Sequence, residues 1–144
     1  SLPPNKFGGK YVEDFFTNKL NTNQDPYFKK INNLKVSAHF LIKRNGELIQ
    51  FVSCKHRAWH AGDSNWKNKL NCNDFSIGIE LEGSDSIPFE NIQYMKLINL
   101  LKCLCKKYQI DDIVGHNQIA PKRKTDPGPF FNWDLINMEN LNVK

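Results

Sequence analysis

With 144 residues, 40% of them apolar and 24% charged, the chain is long and hydrophobic enough to close a core of its own, which excludes a disordered segment. No apolar run approaches the roughly 20 residues of a membrane-spanning helix. The net charge of +5 is modest and scattered, with small clusters at Lys106-Lys107 and Lys122-Arg123-Lys124, so nucleic acid is only weakly indicated beside a solvated surface or an acidic substrate or glycopeptide.

Residues 1–34, rich in Pro, Gly, Asn and Lys, hold one expected helix over 11–20, with Val12, Phe15, Phe16 and Leu20 on its apolar side. A further short turn or helix is expected around Pro26-Tyr27-Phe28. Residues 35–43 read as a strand, with Val36, Ala38, Phe40 and Ile42 on one face and Ser37, His39 and Leu41 on a more polar one. Asn45-Gly46 is a hairpin turn, and residues 48–53 return as the partner strand.

Next comes a loop dense in imidazole and indole, His56-Arg57-Ala58-Trp59-His60-Ala61-Gly62, which is either a satellite of the core or a functional loop whose Trp face suits a sugar ring. Residues 64–73 are polar and expected to be exposed. Residues 75–82 alternate strictly: Phe75, Ile77, Ile79 and Leu81 are expected in the core, with Ser76, Gly78, Glu80 and Glu82 opposite. A carboxylate within so apolar a strand is costly to cover unless paired, so Glu80 is either solvent-facing or functional.

After a turn, residues 90–108 form the longest expected helix, its stripe made by Ile92, Met95, Leu97, Ile98, Leu101, Leu104 and Tyr108. Ile113-Val114 reads as a strand ending on His116, and the residues after it, punctuated by Pro121, Pro127, Gly128 and Pro129, as an ordered loop. A last short helix is expected within 133–143. Strands followed by a long helix and a further strand indicate an α/β fold, a mixed central sheet with packed helices, in one domain. The cysteines at 54, 72, 103 and 105 make no C-x-x-C pattern and read as unpaired thiols of a reducing compartment.

His116, Lys124 and Asp126 fall within eleven residues. A neutral imidazole with a carboxylate suits a zinc-like metal, and a lysine between them suits stabilisation of an anion. With these residues assembled, the chain resembles the zinc-dependent N-acetylmuramoyl-L-alanine amidases, especially the AmpD type that cleaves 1,6-anhydro-muropeptides in cell-wall recycling. The resemblance runs nearly end to end, through SLPP, FGG, VSAHFLI, NGELIQFV, RAWHAG, CNDFSIGIELEG and GHNQIAPKRKTDPGP.

It implies an amidase type 2 fold, shared with peptidoglycan-recognition proteins, and a Zn2+ site in which His116 and Asp126 are metal ligands. It implies Glu80 as general base, Lys124 as the catalytic lysine, and Lys35, Trp59 and His60 at the substrate groove. A monomeric cytoplasmic enzyme is implied, with a muropeptide as its partner and neither nucleic acid nor membrane. In the family the first zinc histidine lies on a strand, in a V-V-H-N-type run, just ahead of the segment matched at Ser1. The expectation is therefore a single amidase domain over 1–144, shortened at its N-terminus and carrying two of three ligands. Two readings follow: an amidase, or a peptidoglycan-fragment binding module or inactive fragment that does no chemistry.

Overall fold

The Asn45-Gly46 turn seeds the sheet of the computed structural model, which describes residues 1–137, 139 and 141. Gly46 adopts φ +82°, and the Asn45 side chain accepts the Glu47 N–H at 3.0 Å, closing the hairpin between β1 (Phe40–Ile42) and β2 (Leu48–Gln50). After a two-stranded hairpin of β3 (Asn65–Trp66) and β4 (Lys69–Leu70), the chain returns as β5 (Ile79–Leu81). The main sheet has the order β2-β1-β5: β1 is antiparallel to β2 and parallel to β5, with Leu41 opposite Glu80.

Phe40 and Ile42 point to one face, against the long helix Asn91–Lys107. Two short N-terminal helices precede the sheet, α1 (Tyr11–Phe16) and α2 (Pro26–Ile31), so the long helix is α3. Its buried positions are Gln93, Tyr94, Leu97, Leu100, Leu101 and Leu104, which form the core with Phe131 and Ile136. Met95 and Ile92, expected in the stripe, are instead 60% and 38% exposed. The buried face is centred on 93/94, 97, 100/101 and 104, and its first turn is held by a polar residue. Gln93 accepts the Glu90 N–H at 3.0 Å and donates to the carbonyls of Glu82 and Ile42, tying the helix to both parallel strands.

The opposite face of the sheet is also covered. Leu41 and His39 are each 1% exposed, so His39 does not face the more polar side expected from alternation. Val12, Phe15 and Phe16 lie alongside Leu41, Phe16 stacks on Phe51 with centroids 6.1 Å apart, and the 56–60 loop closes over His39. Asp25 caps α2 by accepting the Tyr27 N–H at 2.8 Å, with Pro26 at the first helical position, where a missing donor costs nothing. The carboxylate of Glu82, 4% exposed, accepts the N–H groups of Gly8 (2.6 Å) and Arg44 (2.9 Å) and so fastens the N-terminal segment to the hairpin.

Several expectations are corrected. The 64–73 stretch is not simply exposed: Ser64, Cys72 and Asn73 are buried, and Ser64 Oγ accepts the Cys72 N–H at 3.1 Å. Phe75 is 38% exposed rather than in the core, because a single 3-10 turn over Cys72–Asp74 delays the strand; Lys69 Nζ sits 4.3 Å over its ring. Ile113-Val114 forms no strand, only a lone bridge position at Ile113, since this segment lines a cleft that β5 also lines instead of pairing with β5. His116 accordingly opens a one-turn helix, α4 (His116–Ile119). The C-terminal helix α5 spans Trp133–Asn137; the rest of the expected tail helix falls partly on 138, 140 and 142–143, outside the described residues. Cys54, Cys72, Cys103 and Cys105 are all free, and no helix among the described residues is long and apolar enough to cross a membrane.

Candidate active site

The cleft between β5 and residues 110–116 has a volume of about 1100 Å³, and Glu80, His60, His116, Lys124 and Asp126 all line it. The loop from α4 to Asp126 closes on itself. The Asn117 N–H donates to the Asp126 carbonyl at 2.8 Å, which returns the aspartate to the start of the helix that carries His116.

His116 Nε2 lies 3.1 Å from the Ala61 carbonyl, and Nδ1 lies 3.0 Å from Asp126 Oδ2. A carbonyl only accepts, so Nε2 carries the hydrogen. Nδ1 then turns towards a carboxylate oxygen, and two electron-rich atoms at that separation need a cation between them, either a proton or a metal ion. An imidazole oriented by a backbone carbonyl, with its other nitrogen turned to a carboxylate, matches the donors of a metal-ligating histidine, so the pair fits zinc in ligand type. Burial alone would raise the Asp126 carboxyl, but the His116 hydrogen bond and the charges of His116 and Lys124 outweigh it and hold the group below the ordinary carboxylate range. Among the described residues no three His, Cys, Asp or Glu side chains converge as a metal cluster.

Glu80 stands on β5 with Gly78 two residues before it, on the same face. Burial, and then the negative charge of Asp126, push its carboxyl above the ordinary value, against the opposing pull of His116 and Lys124. A raised carboxyl in a cleft beside a depressed one is the electrostatic pattern of a site where protons move. Lys124 reaches the same cleft from the loop after α4, its backbone N–H donating to the Ala120 carbonyl at 2.9 Å.

The 56–62 loop forms another wall. Its anchor is the buried Asn73, whose Oδ1 accepts the N–H groups of His60 (3.0 Å) and Ala61 (2.8 Å). His60 packs so closely on Gly78 that a Cβ there would lie 2.3 Å from its Cγ. His60 Nε2 is buried with no hydrogen-bond partner; burial, with the nearby His39, His116 and Arg57, lowers its pKa to about 4. His39 joins this wall to the sheet: Nδ1 accepts the Gly78 N–H and Nε2–H donates to the His56 carbonyl, each at 3.0 Å. The imidazole just ahead of β1 is thus a satisfied core histidine.

Lys35 and Trp59 stand apart from the other expected site residues, for neither lines the cleft. Trp59 is 60% exposed, with the Arg57 guanidinium 3.7 Å over its ring, and its backbone is exchanged with Ser37, two residues after Lys35. Asn73, the Ala61 carbonyl and Arg123 complete the site and were not expected from sequence. No periodic signal marks them, since each acts through contacts with loop backbone.

The family model described as N-acetylmuramoyl-L-alanine amidase matches residues 10–129. The 1,6-anhydro-N-acetylmuramyl-L-alanine amidase AmpD of Haemophilus influenzae is 53% identical over 137 residues, covering 93% of this chain and 74% of that protein. The crystal structure of a selenomethionine AmpD derivative superposes with a TM-score of 0.94 at 46% identity, covering 96% of this chain and 79% of that one. The Escherichia coli amidase AmiD, in complex with the substrate anhydro-N-acetylmuramic acid-L-Ala-D-γ-Glu-L-Lys, gives a TM-score of 0.70 at 35% identity, covering 82% of this chain and 53% of that one.

Proposed function

This chain belongs to the N-acetylmuramoyl-L-alanine amidase family, and we propose that it hydrolyses the amide joining the lactyl group of 1,6-anhydro-N-acetylmuramic acid to the L-alanine of muropeptides in peptidoglycan recycling. The observation that carries this reading is the meeting of Glu80, His116, Lys124 and Asp126 in one cleft, with the two carboxyls displaced in opposite directions. Asp126, kept ionised, and His116 would hold Zn2+. A bound zinc ion supplies polarisation of the amide carbonyl and acidification of water.

Glu80 takes the proton of the attacking water and later delivers one to the leaving L-alanine amine. Its raised carboxyl suits both halves of that transfer better than an ordinary glutamate would. Lys124 donates to the oxygen that gains charge as the carbonyl is attacked, a contribution of roughly 3–4 kcal/mol from one well-placed donor. His60 borders the reacting group, while Lys35 and Trp59 meet outer parts of the muropeptide from the adjoining surface. The same reading takes residues 1–144 as one amidase domain and places it in the cytoplasm as a monomer, without nucleic acid or membrane as a partner. The four free thiols support a reducing compartment.

The test is release of the L-alanyl peptide from a 1,6-anhydro-N-acetylmuramyl tripeptide by the zinc-supplemented chain, followed by liquid chromatography and mass spectrometry. Lys124→Ala should slow turnover about 10²- to 10³-fold while zinc content, measured by elemental analysis, stays at the wild-type level. A chain that binds the fragment without releasing peptide is a recognition module, and the amidase assignment falls.

A further inference from the structure

The Ala61 carbonyl accepts two hydrogen bonds: one from His116 Nε2 at 3.1 Å and one from Arg123 Nη2 at 2.6 Å. Arg123 Nη2 also reaches the Asp63 carbonyl at 2.9 Å, so a single guanidinium nitrogen brackets Gly62 from both sides. The fit is close. Gly62 adopts φ +60°, and a Cβ there would lie 2.8 Å from Arg123 Nη2. Ala61 is 0% exposed, and its own N–H is taken by Asn73. Thus the acceptor that orients His116 is fixed at its amide by Asn73 and at its oxygen by Arg123.

Arg123 sits beside Lys124 and three residues before Asp126, while Ala61 belongs to the opposite wall. The guanidinium therefore couples the loop that supplies the lysine and the aspartate to the loop that holds the histidine. We propose that Arg123 is a positioning residue for His116: by anchoring the Ala61 carbonyl it keeps Nε2–H donated and Nδ1 turned towards Asp126, the orientation a divalent cation requires. This rests on the zinc reading above. It also gives the basic run 122–124 divided duties, with Arg123 taken up by backbone carbonyls and Lys124 facing the cleft. A lysine at 123 would hold the contact less well, because its ammonium sits on a shorter, freely rotating stem with no rigid plane to aim one nitrogen at both carbonyls.

The experiment is a Zn2+ titration of the whole chain against a chromophoric chelator, with Arg123→Gln, Arg123→Lys and, as a control for charge alone, Lys122→Gln. Loss of a contact that orients a metal ligand weakens metal binding by about 10- to 100-fold. Arg123→Gln should fall in that range, Arg123→Lys in between, and Lys122→Gln within about twofold of wild type, with every variant folded in the absence of zinc. Wild-type affinity in a folded Arg123→Gln overturns the inference; if that variant fails to fold, wild-type affinity in Arg123→Lys does so. A wild-type chain that holds no zinc overturns the metal reading, and the inference with it.

Discussion

His60 makes stability depend on pH in a way that a single substitution isolates. Its imidazole is packed against Gly78, its Nε2 has no hydrogen-bond partner, and its pKa falls from 6.5 to about 4. Between those values the unfolded chain binds a proton at this residue that the folded chain refuses. Its contribution is therefore complete above pH 6.5 and is lost as pH falls towards 4. Once both states are protonated the difference amounts to about 3 kcal/mol. By pH 5 the loss is already about 2 kcal/mol by the same linkage relation.

The perturbation is His60→Gln, which keeps a polar side chain of similar length and removes the titration. The assay is urea unfolding followed by tryptophan fluorescence, on metal-free protein in chelator, at several pH values from 7.5 to 4.5. Acid-sensitive groups remote from residue 60 are common to the two chains and cancel in the difference. Wild type should lose about 2 kcal/mol more than the variant between pH 7.5 and 5. A difference that stays flat across that interval would show that the ring accepts a proton in the fold, and the reasoning from its unpartnered nitrogen would be wrong.

Two further outcomes are expected. Because Glu80 must be ionised to take a proton and its carboxyl is raised, the acid limb of turnover should lie above the ordinary glutamate value and disappear in the residual activity of Glu80→Gln. A pH profile of muropeptide hydrolysis measures this, and an acid limb in the range of a solvent-exposed carboxyl would refute it. Gly78→Ala forces the new methyl into the His60 ring, a clash expected to cost about 1–3 kcal/mol. An unchanged urea midpoint would show that the ring retreats freely.

Much of the fold was legible because it depends on local chemistry. The Asn45-Gly46 turn, the turn or helix around Pro26-Tyr27-Phe28 and the apolar stripe of α3 all announce themselves within a contiguous stretch. The His116, Lys124 and Asp126 spacing pointed to one cleft for the same reason: one short segment carries all three. What could not be read was depth. Alternation tells which residues share a face of a strand, not whether that face is covered, so His39 looked half-polar until the N-terminal helices and the 56–60 loop were seen to close over it. The same limit misplaced Phe75, where a 3-10 turn interrupts an apparently continuous strand pattern. In α3 the expected stripe holds at Leu97, Leu101 and Leu104 but misses in the first turns, where Ile92 and Met95 face out and Gln93, a polar residue, occupies a core site. Hydrophobic periodicity has no means of recognising it. The site walls were hidden for a related reason: Asn73 and Arg123 act on backbone carbonyls and amides, which have no sequence signature.

Glu82 has a consequence for how the molecule comes apart. One desolvated carboxylate accepts from Gly8 and from Arg44, so neither segment can lift away while the other stays without leaving a buried anion short of a donor. The segment around Gly8 and the Arg44 turn are thereby bound into a single cooperative unit, released together or retained together. That segment therefore behaves as a latch with two settings.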